Sequence, residues 1–331
     1  MRRVLVLGGT GWLGRAVAEA ALRDGSEVTC LARGESGEPP AGARFVRADR
    51  SAADAYSGVG EAWDDVVELA TDPAHVTGAL EALSARAAHW TFVSTISVYA
   101  RSDRAGDDED APVVEPVEPV EPVEPVDPTP YADAKVTGER ATRRVRGTDA
   151  LVVRPGLIVG PGDPSDRFGY WAARLDRGGD VVTPVLEGRA VQVVDVTDLA
   201  EWIVRAGRAG TVGTVDAVGP STSMGAFLDE VRSVTGFDGR LVAVDDDTLL
   251  AQGVAYWAGP ASLPLWIPVG EVGFARRAGR AFRAAGGTAR PLAETVRRVV
   301  EDERARGVGR VRRSGLTDAE ELRVLDVVRS G

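Results

Sequence analysis

The chain has little of several residue types that other protein classes need. Cys30 is its only cysteine, and His75 and His89 are its only histidines. A disulfide framework, a zinc site or a histidine-based hydrolase would therefore lack its residues. No apolar run reaches the roughly 18 residues of a membrane span. The run Val4–Leu7 is also too short for the core of a secretion signal. We expect a cytoplasmic protein without a metal ion.

The chain also lacks the basic surface that nucleic-acid binding requires. Its net charge is −11 over 331 residues, and the acidity is local: residues 101–130 hold two arginines against ten acidic residues. The remaining chain is close to neutral. Apolar residues make up 44% of the sequence, which is enough for one large domain or two moderate ones.

Residues 101–130 form an acidic, proline-rich insertion. The triplet Glu-Pro-Val occurs four times in tandem from Glu115 to Val126. Proline at every third position favours a polyproline II conformation, and the repelling glutamates should keep the segment extended and solvated. One interpretation is an expanded surface loop without a chemical role. The other is a lid or a partner-docking arm, which is suggested because the segment continues directly into Tyr131.

Short apolar runs alternate with segments of helical periodicity along the first 210 residues. This alternation predicts a parallel sheet with helices on both faces. The predicted strands are Val4–Leu7, Glu27–Ala32, Arg44–Ala48, Asp65–Ala70, Trp90–Ser94, Ala150–Arg154 and Val191–Val196. The predicted helices are Trp12–Arg23, Pro73–Ala87, Tyr131–Arg146, Phe168–Arg177, Leu199–Arg208, Met224–Val234, Pro291–Arg304 and Thr317–Ser330.

A glycine-rich turn, Gly8 to Gly14, lies between the first strand and the first helix. Gly8 permits the tight turn, Gly11 lets the backbone approach a pyrophosphate, and Gly14 lets the helix pack on the sheet. The positive end of the helix then faces the phosphates. The alternative is an ordinary turn, but the flanking strand and helix favour a dinucleotide site.

The end of the second strand indicates which dinucleotide is bound. Ala32 stands where an acidic residue would bind the ribose hydroxyls of NAD, and Arg33 follows it. A guanidinium suits the 2′-phosphate of NADP, so we predict that NADP is preferred and that NAD is possible. Asp49 and the segment Leu69 to Thr71 end the next two strands, where they are placed to reach the adenosine half.

Tyr131 and Lys135 are four residues apart and share one helix face. An ammonium group beside a phenol favours the phenolate, so we expect Lys135 to lower the pKa of Tyr131 and to bond the nicotinamide ribose. Such a tyrosine can exchange a proton with an alcohol or a carbonyl. Thr95, next to Ser94 at the end of the fifth strand, is the hydroxyl that we expect to hold the substrate oxygen.

Together these motifs resemble the extended short-chain dehydrogenases/reductases of the NAD(P)-dependent epimerase/dehydratase type. The resemblance also includes Arg154-Pro155-Gly156, Gly160-Pro161-Gly162 and Val196 to Ala200, and it covers residues 1–235 best. It implies that Thr95, Tyr131 and Lys135 are the catalytic residues. It also places Pro155 and Gly156 beside the nicotinamide. The expected cofactor-binding residues are Gly8, Thr10, Gly11, Trp12, Leu13, Gly14, Arg33, Asp49, Leu69, Ala70, Thr71, Ser94, Lys135, Pro155 and Gly156.

The resemblance implies a Rossmann-type, doubly wound α/β fold with a smaller C-terminal substrate domain. The first domain would comprise residues 1–160, with 190–210 returning to it, and the second 161–189 and 211–331. Substrate-lining candidates, which could equally pack between the domains, are Arg167, Tyr170, Trp171, Gln192, Trp257 and Trp266. Ile96-Ser97 follow Thr95 where the family's 4,6-dehydratases have an acidic pair, which argues against that chemistry.

We therefore predict an oxidoreductase that transfers a hydride between nicotinamide and a carbonyl or carbinol carbon, in the manner of a ketoreductase. One alternative is a nucleotide-sugar epimerase with tightly held cofactor. Another is a non-catalytic NADP-binding sensor or RNA-binding module, although the intact residue set and the acidity argue against these. A small carbonyl or sugar substrate and a possible homodimer are the expected partners, with no nucleic acid and no membrane. The substrate itself is not identified by the sequence.

Overall fold

The computed structural model describes residues 1–60, 62–116 and 128–330, and only the backbone of residues 128–130. The strands are β1 Arg3–Leu7, β2 Glu27–Ala32, β3 Arg44–Arg47, β4 Trp63–Glu68, β5 Ala87–Val93, β6 Leu151–Pro155, β7 Leu157–Val159, β8 Asp180–Pro184, β9 Ala190–Asp195, β10 Gly213–Ala217, β11 Ser221–Ser223, β12 Arg240–Val244, β13 Ala255–Trp257 and β14 Ser262–Pro264. The α-helices are α1 Trp12–Arg23, α2 Pro73–Leu83, α3 Pro128–Arg146, α4 Arg167–Asp176, α5 Val196–Ala209, α6 Met224–Thr235, α7 Asp246–Ala251, α8 Arg280–Ala284, α9 Leu292–Arg306 and α10 Asp318–Ser330.

Seven parallel strands form the central sheet, in the order β10-β6-β5-β4-β1-β2-β3. The chain winds outward in both directions from the neighbouring strands β1 and β4, so the predicted doubly wound Rossmann-type sheet is confirmed. In such a sheet ligands bind at the carboxyl ends of the strands, where the winding reverses. The continuous apolar runs that predicted the strands are needed because helices cover both faces.

Helices α1 and α5 pack on one face of the sheet, where Val4, Val17 and Ile203 belong to one core cluster. Helices α2 and α3 cover the other face, where the core includes Leu80 and Trp90. Helix α2 is shorter than the predicted helix over 73–87. It ends at Leu83, a 3₁₀ turn follows, and Ala87 already begins β5. The possible homodimer stays a prediction.

A second core lies beyond the sheet, around helices α4, α6 and α9 and the small sheets β8–β12 and β13–β14. It contains the buried rings of Phe168, Trp171 and Trp266. The predicted division of the chain needs one correction. Residues 213–217 form β10, an edge strand of the central sheet paired with β6, and do not belong with the smaller unit. The rest of that division stays a prediction.

The insertion is only partly the solvated segment that its composition predicts. Val113 forms a bridge with Tyr99, and Val114 N donates to Val98 O at 2.8 Å. Ala111, Val113 and Val114 pack beside Ile96 and Val136, so residues up to 116 lie against the body of the protein. Residues 117–127, with most of the Glu-Pro-Val repeat, are outside the described residues. Among the helices that the structure describes, none is both long and apolar enough to cross a membrane.

Candidate active site

A cleft of about 630 Å³ opens at the carboxyl ends of β1, β2, β4, β5 and β6. It is lined by Gly8, Thr10, Gly11, Trp12, Leu13, Gly14, Arg33, Leu69, Ala70, Thr71, Ser94, Thr95, Tyr131, Lys135, Pro155 and Gly156. The structure thus brings together the predicted catalytic residues and the predicted cofactor-binding residues, with the exception of Asp49. Their roles stay predictions at this point.

The glycine turn has the geometry that a pyrophosphate needs. Gly8 adopts the left-handed φ of +94°, and a Cβ at Gly14 would lie 2.2 Å from the carbonyl oxygen of Gly8. No side chain among the described residues caps the N-terminus of α1 at Gly11. Its first N–H groups therefore face the cleft without a side-chain acceptor, which is the arrangement that binds phosphate. The residues present fit a dinucleotide.

Beyond this turn, Arg33 and Arg50 line the far end of the cleft. Arg33 forms an exposed ion pair with Glu35 at 3.1 Å, whereas Arg50 binds the buried carboxylate of Glu68 through two nitrogens. Asp49 was expected here, but it is exposed, accepts a hydrogen bond from Ser51 N, and does not line the cleft. Beyond β3, which ends at Arg47, Ala48 and Arg50 line the cleft instead.

Tyr131 and Thr95 meet at the other end of the cleft. Both residues line the cleft, and Thr95, directly after β5, accepts a hydrogen bond from Ser97 N at 3.1 Å. Burial raises the pKa of the Tyr131 phenol above its ordinary value, while Thr95 and the charge of Arg167 act to lower it. The expected lowering by Lys135 is therefore wrong, and the phenol is protonated at neutral pH.

Lys135 lies one helical turn beyond Tyr131 and is the only lysine in the chain. It is 3% exposed, and its Nζ donates to the carbonyl oxygens of Ala70 and Val93, both at 2.8 Å. Burial lowers the pKa of this ammonium to about 8, against the opposing charges of Glu68 and Glu139. Two of its three hydrogens are engaged, which leaves one for a ligand.

A buried polar network supports the catalytic end of the cleft. Ser94 Oγ donates to Glu139 at 2.6 Å, and Arg154 binds the same carboxylate through Nε and Nη2 at 2.8 and 2.7 Å. Arg154 also donates to Tyr99, whose hydroxyl bonds Asp216 on β10. The network fixes α3 to β5, β6 and β10, and so fixes the helix that carries Tyr131.

Of the substrate candidates, only Arg167 and Trp257 line the cleft. The other four are buried structural residues. Trp171 and Trp266 donate from their indole nitrogens to Pro264 O and Asp246, and Gln192 bonds the backbone of Gly219 and Arg277. Tyr170 is 3% exposed and packs edge-on against Trp171. Sequence reasoning missed cleft residues Ser97, Asp163, Ser165 and Phe274, of which Asp163 and Ser165 stand in the turn directly before Arg167.

The sequence profile of the NAD dependent epimerase/dehydratase family matches residues 4–218. The chain belongs to this family. It is 29% identical over 203 residues to dTDP-6-deoxy-L-talose 4-dehydrogenase (NAD(P)(+)) from Kitasatospora kifunensis, a match that covers 53% of this chain and 58% of that protein. The chain thus spans little more than half the length of this curated relative.

Solved structures share the fold at low sequence identity. UDP-glucuronic acid 4-epimerase from Bacillus cereus, in complex with NAD, superposes with a TM-score of 0.66 at 14% identity, over 92% of this chain and 99% of that one. UDP-glucose 4-epimerase from Thermus thermophilus, also with NAD, gives 0.61 at 20% identity, over 91% and 99%. These similarities confirm the Rossmann-type architecture.

Proposed function

We propose that this chain is an NAD(P)-dependent oxidoreductase that acts on a carbonyl or carbinol carbon held beside Tyr131. One observation carries the proposal. The Tyr131 phenol and the Thr95 hydroxyl line the same cleft that ends in the uncapped glycine turn. A proton donor, a second hydroxyl and a dinucleotide cradle therefore share one cavity.

A bound nicotinamide would supply the hydride in reduction or accept it in oxidation. Tyr131 gives its proton to the substrate oxygen during reduction, and its raised pKa keeps the phenol in the donating form at neutral pH. Thr95 holds the same oxygen by a hydrogen bond. Lys135 uses its remaining hydrogen to hold a ribose hydroxyl, while Ala70 and Val93 fix the position of its ammonium.

For the cofactor, we propose a preference for NADP over NAD. Arg33 lies at the end of β2 within the cleft, with uncharged Ala32 before it. A guanidinium there offers two donors to a phosphate. Glu35, which pairs with Arg33, opposes this preference because a 2′-phosphate must compete with its carboxylate.

For the substrate, a nucleotide sugar or another carbonyl compound is the proposed class. The Kitasatospora relative is by name a dehydrogenase of a dTDP-linked deoxysugar. Net reduction is favoured here over epimerisation because Arg33 suits NADP and the phenol is protonated. The pair Ile96-Ser97 after Thr95 supplies no carboxylate for a dehydratase.

The test is a deuterium-transfer assay with the purified chain. NADPH or NADH labelled with deuterium at C4 is incubated with a panel of ketones and nucleotide 4-ketosugars. Reductase activity puts one deuterium into the alcohol and consumes cofactor in equal amount. Epimerisation without net cofactor consumption, by a chain that purifies with bound NAD, would support the epimerase instead. Absence of both activities together with absence of dinucleotide binding would refute the proposal.

A further inference from the structure

Arg167 differs from the other arginines of the cleft in its partners. Among the described residues three arginines line the cleft, and Arg33 and Arg50 are each paired with a carboxylate, Glu35 and Glu68. Arg167 forms no ion pair within the part of the chain that the structure describes. The charge of Asp163 acts on Arg167 without a direct ion pair, so a ligand anion bound at this partly buried guanidinium would gain favourable charge interactions.

Within the described ranges, the terminal nitrogens of Arg167 have no hydrogen-bond partner. Its Nε donates to Ser165 Oγ at 3.2 Å, and the guanidinium lies over the ring of Trp257 with 4.9 Å between the Cζ atom and the ring centroid. Stacking on an indole leaves the edge of the fork available for a bidentate acceptor. The carboxylate of Asp163 accepts from Ser165 N at 2.8 Å and from Ser165 Oγ at 2.9 Å, so it reaches Arg167 through this hydroxyl and by its charge, without a direct ion pair.

The backbone on both sides of this contact is held in an unusual conformation. Asp166, directly before Arg167, has a φ of 60°, and Trp257 has a φ of 70°. Asp166 is fixed by the Arg310 side chain and by Arg313 N, and Trp257 packs edge-on against Phe274 at 5.1 Å. Non-glycine residues in the left-handed region persist where the surrounding structure holds them, and they are frequent at binding sites.

Arg167 also lies on the catalytic side of the cleft. Its charge acts to lower the pKa of the Tyr131 phenol, so the two groups share one electrostatic environment. Both residues line the same cleft, together with the apolar Ile96, Leu157 and Phe274. A ligand held by Arg167 would therefore occupy the cleft that Tyr131 also faces.

We propose that the substrate carries an anionic oxygen group, a carboxylate or a phosphate, which Arg167 binds through its two terminal nitrogens beside the reacting carbon. The position beside the reacting carbon rests on the proposed oxidoreductase function, whereas the anion site itself does not. Trp257 holds the guanidinium flat, and Asp166 fixes the start of α4 from which it projects.

The anion site is tested by calorimetric titration of malonate and of inorganic phosphate into the chain saturated with NADPH. The cofactor keeps phosphate from the glycine turn. We expect Arg167→Gln to weaken binding of the preferred anion by about 10- to 100-fold, the range for a hydrogen-bonded charge. Arg167→Lys should recover part of the lost affinity, because lysine keeps the positive charge but cannot donate two parallel hydrogen bonds as a guanidinium does.

The matched control is Arg297→Gln, since Arg297 is an exposed arginine of α9 that pairs with Glu301. It should bind both anions as the unmodified chain does. Tighter binding of malonate would identify a carboxylate as the anionic group of the substrate, and tighter binding of phosphate would identify a phosphate. Equal binding by Arg167→Gln and the unmodified chain, or no binding of either anion to the unmodified chain, would overturn the proposal.

A second measurement uses substrates matched in all but charge. A keto acid is compared with its methyl ester. The acid is expected to have a KM lower by about 10- to 100-fold. The substitution Arg167→Gln should remove this difference. Ester and acid reduced equally well would contradict the proposal while leaving the oxidoreductase intact. Anion binding that Arg167→Gln weakens, in a chain without either activity and without dinucleotide binding, would instead refute the proposed function and retain the site.

Discussion

Lys135 Nζ donates a hydrogen bond of 2.8 Å to the carbonyl oxygen of Val93, the last residue of β5. This contact joins the catalytic helix α3 to the strand whose next residues are Ser94 and Thr95. The sole ammonium side chain of the chain is thereby held at the edge of the sheet where the cleft opens. The position of the lysine, and through it of Tyr131, is set by main-chain atoms.

The titration of Lys135 is directly observable because the chain has one lysine. With lysine labelled by ¹³C at Cε, the side chain gives a single NMR signal, and we expect a midpoint near pH 8 in the cofactor-free protein. The pKa of Lys135 is lowered from 10.5 to about 8 by folding. Between these two pH values the unfolded chain therefore carries a proton on Lys135 that the folded chain has lost. Stability should rise with pH over that interval. A midpoint near 10.5 would contradict the burial of the ammonium.

Replacing Tyr131 by phenylalanine removes the proton donor and keeps the ring. We expect kcat to fall by about 10²- to 10⁴-fold, the usual contribution of general acid catalysis, with dinucleotide affinity unchanged. Steady-state kinetics and a fluorescence titration with NADPH measure the two quantities. Tyr256→Phe is the control, because Tyr256 donates to Asp246 at 3.1 Å outside the cleft. Retained activity in Tyr131→Phe would eliminate the proposed mechanism.

The cofactor preference should respond in opposite directions to two neighbouring substitutions. Arg33→Gln removes the guanidinium, so NADPH binding should weaken by about 10-fold or more while NADH binding stays the same. Glu35→Gln releases Arg33 from its ion pair and should tighten NADPH binding. Arg23→Gln, at the far end of α1, should change neither. NADH bound as tightly as NADPH by the unmodified chain would refute the preference.

Glu139 should be a main determinant of stability. It is 1% exposed and is held by Arg154 and Ser94, so Glu139→Ala leaves the Arg154 charge buried without its carboxylate. We expect a loss of about 3–5 kcal/mol in urea unfolding. The exposed pair of Arg297 and Glu301 provides the control, since Glu301→Ala should cost less than about 1 kcal/mol. Similar losses in both variants would show that the network contributes little.

The contribution of the Glu139 carboxylate to the free energy of unfolding should depend on pH. Burial raises the pKa of Glu139, but the hydrogen bonds and charge of Arg154 outweigh it and hold the pKa below the ordinary 4.5. The stabilisation is therefore complete above the unfolded value and is lost as the pH falls through the lowered folded value. Unfolding free energies measured from pH 6 to pH 3 should fall less in Glu139→Gln than in the unmodified chain.

The sheet and the cofactor cradle were predictable because their signals are local in sequence. The boundaries of α1 and β2 coincide with the predicted ones, since a glycine turn and an apolar run delimit them. The three catalytic candidates converge because Tyr131 and Lys135 are four residues apart on α3, and α3 packs beside the end of β5 that leads to Thr95. Asp49 was misplaced because β3 ends two residues before it, at Arg47, and the chain beyond the strand brings Arg50 into the cleft instead.

The substrate side was less predictable because it depends on long-range packing. Trp171 and Trp266 have the composition of a binding site, but helices α4, α6 and α9 bury both in a separate core. Phe274 lies in a 3₁₀ segment far along the chain, and its approach to Trp257 has no local signal. The pKa of Tyr131 likewise depends on burial and on the charge of Arg167. Neither could be inferred from the four-residue spacing between Tyr131 and Lys135.

A chain with 38 arginines and one lysine has a practical consequence for its chemistry. Reagents that acylate or crosslink amines find no side-chain target on the described surface, because that single amine lies within the cleft. Labelling of Lys135 should therefore report on occupancy, with a bound dinucleotide shielding it. Immobilisation for assays should avoid such reagents, since any side-chain attachment they make would obstruct the reaction centre.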